Sequence, residues 1–105
     1  SDHGEDMKYF HGDSTFTWSM VRTPAFVYLA PDYKKSHTAV ADNLRYNENM
    51  VFTNDLIYDM ICGILAALNN EYDRKYDITN ADYGLSADKA TTKYGKYLIS
   101  DDVTI

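Results

Sequence analysis

The first four residues place two metal-binding side chains next to each other. Asp2 and His3 are adjacent, and Gly4 follows them. Zinc accepts both a carboxylate oxygen and an imidazole nitrogen, and a glycine lets the backbone bend so that both side chains face one cation. Because zinc normally takes four ligands, at least one further protein ligand has to come from elsewhere. A solvated loop has the same pattern, and on spacing alone it is the simpler interpretation.

Further charged or ionisable residues follow this turn in the sequence. Glu5 either accepts a hydrogen bond from a metal ligand or lies in solvent. His11, taken alone, is typical of a surface histidine. Arg22 either clamps a phosphate or makes a structural ion pair. His37 follows two lysines and a serine in a polar stretch, and we assign it no role.

Two other patterns indicate structure rather than chemistry. Cys62 is the only cysteine and lies among apolar residues, so we expect a small buried side chain that forms no internal disulfide. The acidic stretch after residue 70 contains Asp73, Asp77, Asn80 and Asp82. Its spacing lacks the central glycine and the terminal glutamate of an EF-hand loop, so no calcium loop is predicted.

Two short apolar segments have the composition of strands. Residues 25–29 (AFVYL) lie between Pro24 and Pro31, which predicts a strand covered on both faces. Residues 97–99 predict a final strand. The first 23 residues have no sustained period, so we expect a long loop there.

Two helices are predicted between these strands. A short one begins with Ser36 as its N-cap. A stronger one has Thr53 or Asn54 as its N-cap and ends at residues 69–70, because its apolar residues recur every three or four positions and form one stripe that should cover a sheet. Asp55 and Asp59 lie off this stripe near the helix N-terminus, where we expect them in solvent, interacting with the helix dipole.

The composition is that of one folded acidic domain. The chain has 105 residues, 45% hydrophobic and 25% charged, enough for one small domain and unlike a disordered chain. A net charge of −6 disfavours nucleic acid as a partner. The longest uncharged apolar run, residues 60–68, is about half the roughly 20 residues that a membrane-spanning helix needs. The opening lacks signal-peptide features and has the pattern of a strand exit, so we expect a piece of a longer protein.

Several of these stretches, taken in order, resemble a known superfamily. They are residues 1–6 (SDHGED), His11 with Gly12, residues 22–24 (RTP) before the apolar strand, and residues 53–55 (TND) at the start of the apolar helix. Together they resemble the C-terminal part of the sulfatase and alkaline-phosphatase-like superfamily, and within it the membrane-anchored phosphoethanolamine transferases that modify lipopolysaccharide. The resemblance covers about residues 1–70, and residues 94–96 (YGK) add to it.

The resemblance implies a fold class as well as a chemistry. The fold is α/β, the C-terminal part of an alkaline-phosphatase-like three-layer sandwich with few strands and one long apolar helix. Residues 1–105 would then form a single partial domain of a sulfatase-like catalytic domain. The intact enzyme would be anchored in the cell membrane by upstream helices, with its catalytic domain facing the periplasm or the cell exterior.

The implied reaction transfers phosphoethanolamine from a phospholipid donor to a lipid or sugar acceptor through a zinc-activated threonine or serine. Asp2 and His3 correspond to zinc ligands, and His11 to the histidine that contacts the transferred phosphoryl group. The nucleophile, its acidic zinc ligand and the preceding strands are missing from these residues, and nearby hydroxyls such as Thr15 and Thr17 match no nucleophile motif. The isolated chain is therefore expected to be inactive.

Two alternatives stay open. A sulfatase or a phosphoglycerol transferase would share the metal chemistry and differ in the substrate pocket. A non-catalytic interaction module would keep the fold and use Asp2 and His3 only as loop residues. In each case a few strands separated from a larger sheet would expose an unpaired edge, so we also expect self-association or marginal stability.

Overall fold

Short helices and irregular segments make up most of the chain, with one small antiparallel hairpin. The structure is a computed structural model that describes residues 1–10, 12 and 14–104. The hairpin pairs Thr91 with Leu98 and Thr92 with Tyr97. The elements in chain order are α1 (Trp18–Val21), α2 (Pro31–Ser36), α3 (Thr38–Tyr46), a 3-10 helix (Asn54–Leu56), α4 (Ile57–Leu65), β1 (Thr91–Thr92), β2 (Tyr97–Leu98) and a second 3-10 helix (Ile99–Asp101).

The long apolar helix that the sequence predicted is much shorter in the structure. A 3-10 turn leads into α4, which has nine residues and ends at Leu65. Ala66 adopts a left-handed conformation with φ 53°. Its N–H approaches the Gly63 carbonyl oxygen at 3.3 Å, and the Ala67 N–H donates to the Cys62 carbonyl oxygen at 2.9 Å. These bonds turn the chain back on the last helical turn, so the helix cannot continue to residue 69.

The contacts made by the inward side of α4 also differ from the prediction. Its inward side packs on the turn-rich segment 72–85 rather than on a sheet. Asp59, expected in solvent, is buried and accepts a hydrogen bond from the Asp73 N–H at 2.8 Å. Cys62 is buried, as predicted. The outward side carries Ile61 and Leu65, which are exposed.

The small hydrophobic core lies between α4 and the segment that follows it. Its buried members are Leu56, Ile78 and Tyr83, and the Tyr83 hydroxyl donates to the Val51 carbonyl oxygen. The polar stretch 71–92, for which the sequence predicted no element, therefore supplies two of the three central residues. Partly buried side chains complete the cluster: Leu44, Phe52, Met60 and Leu85.

Two asparagines fix this segment to α3. Asn43 donates to the Thr79 carbonyl oxygen at 3.1 Å. Asn47, the buried residue that ends the helix, donates to the carbonyl oxygens of Ile78 at 2.8 Å and Asn80 at 3.2 Å. Backbone carbonyls that no regular element pairs are satisfied by these amides, so the turns can be buried.

A fully buried carboxylate lies where the segment contacts α4. Asp77 accepts hydrogen bonds from the Tyr72 hydroxyl at 2.7 Å, the Thr79 N–H at 2.8 Å and the Thr79 hydroxyl at 2.7 Å. A Cβ on Gly63 would lie 2.1 Å from Asp77 Oδ2 and 2.5 Å from Thr79 Oγ1. The glycine in α4 is therefore what allows this network to approach the helix.

Residues 25–29 do not form the paired, covered strand that the sequence predicted. They belong to no helix, turn or ladder, and Phe26 and Tyr28 are 93% and 80% exposed. Within the described part of the chain, the N–H groups of 25–29 make no backbone–backbone hydrogen bond. A strand needs a neighbour to pair its backbone groups, and the hairpin β1–β2 lies elsewhere in the sequence and pairs only with itself.

The remaining predictions are partly confirmed. α3 begins two residues after the predicted N-cap Ser36, and β2 matches the first two residues of the predicted segment 97–99. The structure adds α1, which lies inside the predicted loop 1–23, and α2, whose first residue is Pro31. Proline fits that position because its missing N–H would have no partner in the first turn.

The chain is less compact than its size allows. Its radius of gyration is 15.3 Å, against roughly 13 Å for a compact domain of this length. The described residues form only one two-stranded sheet. This sheet does not test the three-layer sandwich, which stays a prediction. None of the helices in the described residues has the length and apolar character needed to cross a bilayer.

Candidate functional site

The opening turn is held against α1 by a glycine. The Gly4 N–H donates to the Met20 carbonyl oxygen at 2.7 Å. A Cβ on Gly4 would lie 2.0 Å from the Ser19 carbonyl oxygen and 2.5 Å from that of Arg22. Backbone atoms cannot move aside as a flexible side chain can, so this close approach requires glycine.

Two further contacts fix the same turn. The amino group of Ser1 lies 3.5 Å from the Pro24 carbonyl oxygen, and the Asn54 side chain donates to the Ser1 carbonyl oxygen at 3.2 Å. The Ser1 hydroxyl donates to the His3 carbonyl oxygen at 2.8 Å. The turn therefore lies between the segment after α1 and the start of the 3-10 helix that precedes α4.

The imidazole of His3 is oriented by its own turn. Nδ1 lies 2.9 Å from the Gly4 carbonyl oxygen and 3.7 Å from Glu5 Oε1. The tautomer that donates from Nδ1 to this carbonyl carries its lone pair on Nε2. Histidines that bind metals are commonly held in this way, with one ring nitrogen donating to a carbonyl or carboxylate and the other facing the metal.

The donor set of this turn fits part of a zinc site. Asp2 is exposed and His3 half-buried, so both lie at the surface. A carboxylate and an imidazole suit two of the four zinc positions. Glu5 is exposed and lies near the His3 ring. The described residues contain no group of three or more His, Cys, Asp or Glu side chains that would hold a metal ion.

Asp6 shapes the chain after the turn, a role that the sequence analysis missed. Its Oδ1 accepts hydrogen bonds from the N–H groups of Lys8 at 2.7 Å and Tyr9 at 3.1 Å. The hydrogen bond from the Lys8 N–H, followed by that from the Tyr9 N–H, holds the pKa of Asp6 below its ordinary value of 3.8. The signal available in the sequence was an aspartate at the start of a turn, which commonly accepts hydrogen bonds from the N–H groups two and three residues later.

His11, the predicted phosphoryl contact, lies outside the described residues.

Arg22 makes the structural ion pair rather than a phosphate clamp. Its guanidinium contacts the buried carboxylate of Asp102 at 2.5 Å and the Thr104 hydroxyl at 2.6 Å. The Thr104 hydroxyl and N–H also donate to Asp102, at 2.7 and 3.0 Å. The Thr104 hydroxyl first, and then its N–H and Arg22, hold the pKa of Asp102 below 3.8. The pair therefore fixes the segment after α1 to residues 102–104.

The acidic segment after α4 is used for its own turns. Asp73 Oδ1 accepts the Lys75 N–H at 2.9 Å, and Arg74 pairs with Asp82 at 3.1 Å. Asn80 Oδ1 accepts the Asp82 N–H at 2.9 Å. These side chains close turns and pair with each other, which gives a structural account of the acidic spacing.

An open groove of about 1060 Å³ begins beside the opening turn. Its lining includes Ser1, Pro24 and residues 25–29. Residues of α3 and α4 also line it, among them Leu44, Ile57 and Met60. Most of this lining is apolar, so the groove places an uncovered hydrophobic surface next to the candidate metal ligands.

Comparison of the chain with protein-family models, with curated proteins and with solved structures finds no match. The site therefore has to be interpreted from its own residues and geometry.

Proposed function

We propose that the chain contributes two zinc ligands to a phosphoryl-transfer enzyme, as the C-terminal part of a membrane-anchored phosphoethanolamine transferase. One observation supports this proposal most strongly. Three separate stretches that carry the resemblance, residues 1–6, 22–24 and 53–55, meet around the opening turn through the contacts of Ser1 and Gly4. Stretches that serve one active site are expected to converge, whereas a chance similarity gives no reason for them to meet.

Each residue of the turn has a specific role in this proposal. Asp2 and His3 bind the zinc ion, and the Gly4 carbonyl keeps the His3 ring in the tautomer that a metal requires. Glu5 lies beside the ring, with its Oε1 3.7 Å from Nδ1. His11 contacts the transferred phosphoryl group. Zinc, when bound, neutralises charge on the phosphoryl oxygens and activates the nucleophile.

The other parts of the reaction lie outside the chain. The donor is a phospholipid, the acceptor is a lipid or sugar group of the cell envelope, and the nucleophile belongs to polypeptide before Ser1. The intact enzyme sits in the cell membrane with this domain facing the periplasm or the cell exterior. The 105-residue chain alone binds zinc weakly and has no transferase activity.

Zinc binding by the 105-residue chain tests the ligand assignment directly. A chromophoric chelator competes with the chain for zinc, and the apparent Kd is compared between variants. His3→Ala and Asp2→Asn should each weaken binding by at least about tenfold, since each removes one of two ligands. Gly4→Ala should also weaken it, because the added Cβ displaces the turn. His37→Ala is the matched control, since that ring stacks on Tyr33 at the α2–α3 junction.

Equal zinc affinity in the parent chain and in His3→Ala would contradict the assignment.

The coding sequence before Ser1 tests the enzyme itself. It should encode several membrane-spanning helices and then a threonine or serine at a helix start, preceded by an acidic ligand. In the intact protein His3→Ala should abolish transfer and reduce bound zinc. A preceding sequence without these features would favour the non-catalytic interaction module.

A further inference from the structure

The segment 25–29 combines an apolar surface with backbone N–H groups that have no backbone partner among the described residues. Phe26 and Tyr28 are 93% and 80% exposed, and Val27 is exposed as well. Within the described part of the chain, the N–H groups of these five residues make no backbone–backbone hydrogen bond. Arg22, three residues before the segment, has a ψ of 109°, and Ala30, directly after the segment, has a ψ of 147°. The segment therefore presents the donors and acceptors of a strand edge without a neighbouring strand.

The sequence of this segment suits pairing with an identical segment. Residues 25–29 carry no charge, so two copies meet there without bringing like charges together. In an antiparallel pair centred on Val27, Phe26 of each copy lies opposite Tyr28 of the other. Two aromatic cross-strand pairs form in this way, and such pairs are among those that stabilise antiparallel sheets. Pro24 and Pro31 limit the pairing to the residues between them.

The exposed area of the chain is large enough for such an interface. Its accessible surface is 7745 Å², against roughly 6,000 Å² for a compact monomer of 12.0 kDa. The surplus is roughly 1,700 Å², and a standard interface covers about 800 Å² of each partner. A dimer contact of ordinary size would therefore remove only part of the surface that the single chain leaves uncovered.

We propose that two copies of the chain associate through residues 25–29, which pair as antiparallel strands across a two-fold axis. The contact is isologous, so the same five residues serve on both copies and the assembly closes as a dimer. The open groove beside the segment then lies behind a two-stranded ribbon. This inference does not depend on zinc chemistry, because none of the residues it uses belongs to the opening turn.

Sedimentation equilibrium of the 105-residue chain over a range of protein concentrations tests the proposal. We expect a monomer–dimer equilibrium that strengthens with salt, since each copy carries a net charge of −6. Val27→Pro removes a backbone donor and Tyr28→Lys places a charge on the edge. Each should raise the dissociation constant by at least about tenfold. Tyr46→Lys is the matched control, because Tyr46 is an exposed tyrosine outside the segment and should leave the constant unchanged.

Amide hydrogen exchange locates the contact independently of substitution. Protection at residues 25–29 should rise with protein concentration in the parent chain and stay low in Tyr28→Lys, whose far-UV circular dichroism should match that of the parent. A chain that remains monomeric at every concentration would overturn the proposal. It would equally be overturned by a dimer that both variants leave intact, or by concentration-dependent protection confined to other residues.

Discussion

Gly63→Ala tests whether the buried carboxylate of Asp77 really packs against α4. Replacing a glycine inside a helix by alanine normally stabilises a protein by about 0.5–1 kcal/mol, because alanine loses less backbone freedom on folding. Here the added Cβ would lie 2.1 Å from Asp77 Oδ2 and 2.5 Å from Thr79 Oγ1. The ordinary helix preference and the local packing therefore predict effects of opposite sign.

The magnitude follows from what must move. Separating the Cβ from the carboxylate displaces Asp77, which accepts three hydrogen bonds from Tyr72 and Thr79. Overpacking of this kind costs about 1–3 kcal/mol, and a buried polar group left without its partner costs about as much again. After the helix preference is subtracted, we expect Gly63→Ala to lower the free energy of unfolding by about 1–5 kcal/mol. For a chain of this size that lowers Tm by roughly 5 °C or more.

Urea unfolding followed by Trp18 fluorescence measures the effect. Gly84→Ala is the matched control, since the nearest atom to a Cβ there is the Asp82 carbonyl oxygen at 3.6 Å, and it should change stability by less than about 0.5 kcal/mol. The double variant Gly63→Ala/Asp77→Ala should be less destabilised than the sum of the single changes. If Gly63→Ala proves as stable as the parent chain, the contact between α4 and the Asp77 network is wrong.

Two further predictions concern pH. Burial, with a smaller contribution from Asp55, raises the pKa of Tyr83 from 10.0 to about 12, so its stabilising contribution is complete below pH 10 and is lost as pH rises towards 12. Between pH 10 and 12 the urea midpoint of Tyr83→Phe should fall less steeply than that of the parent chain. At neutral pH this variant should lose about 1 kcal/mol of unfolding free energy, because the hydrogen bond to the Val51 carbonyl is gone. Tyr94→Phe is the control, since Tyr94 is exposed and its variant should follow the parent chain. The pKa of Asp102 is held below 3.8 mainly by Thr104, so this carboxylate contributes its full stability above pH 3.8. That stability is lost as the pH falls through the lowered pKa of the folded state. Asp102→Asn should therefore flatten the acid limb of the stability curve, and an unchanged slope would show that its carboxylate is not selectively stabilised in the fold.

Local patterns in the sequence predicted some local features of the fold, but not the full set of helices or the length of α4. The apolar spacing located α4, the serine at position 36 came within two residues of the start of α3, and the apolar neighbours of Cys62 predicted its burial. Such features depend on residues close together in the chain, which a single sequence contains in full.

Features that depend on distant residues were not predictable in the same way. Asp59 was expected in solvent because its helix position lies off the apolar stripe. In the structure it is buried and accepts a hydrogen bond from the Asp73 N–H. The sequence predicted no helix or strand in the polar segment 71–92, yet Ile78 and Tyr83 from this segment lie in the core. Residues 25–29 have strand composition, but a strand also needs a partner, and composition does not state whether one is present.

The candidate site was predictable in its residue types but not in its supports. Adjacent Asp2 and His3 indicated metal chemistry, and the following glycine indicated a tight turn. The close approach of Gly4 to the Ser19 and Arg22 carbonyls, which fixes that turn in place, involves residues 15 and 18 positions away. No spacing rule contains such a contact.

The supports of the candidate site and the hydrophobic core are largely separate parts of the molecule. Gly4 packs on the backbone of α1, and Arg22 then pairs with Asp102. The core joins Leu56 to the segment after α4, and the described contacts between the two parts include the hydrogen bond from Asn54 to Ser1. Asp2→Asn and His3→Ala should therefore change zinc affinity with little effect on urea stability, and Gly63→Ala should do the opposite. A His3→Ala chain that unfolds as easily as Gly63→Ala would mean that the opening turn belongs to the core, and its loss of zinc binding would then say nothing about coordination.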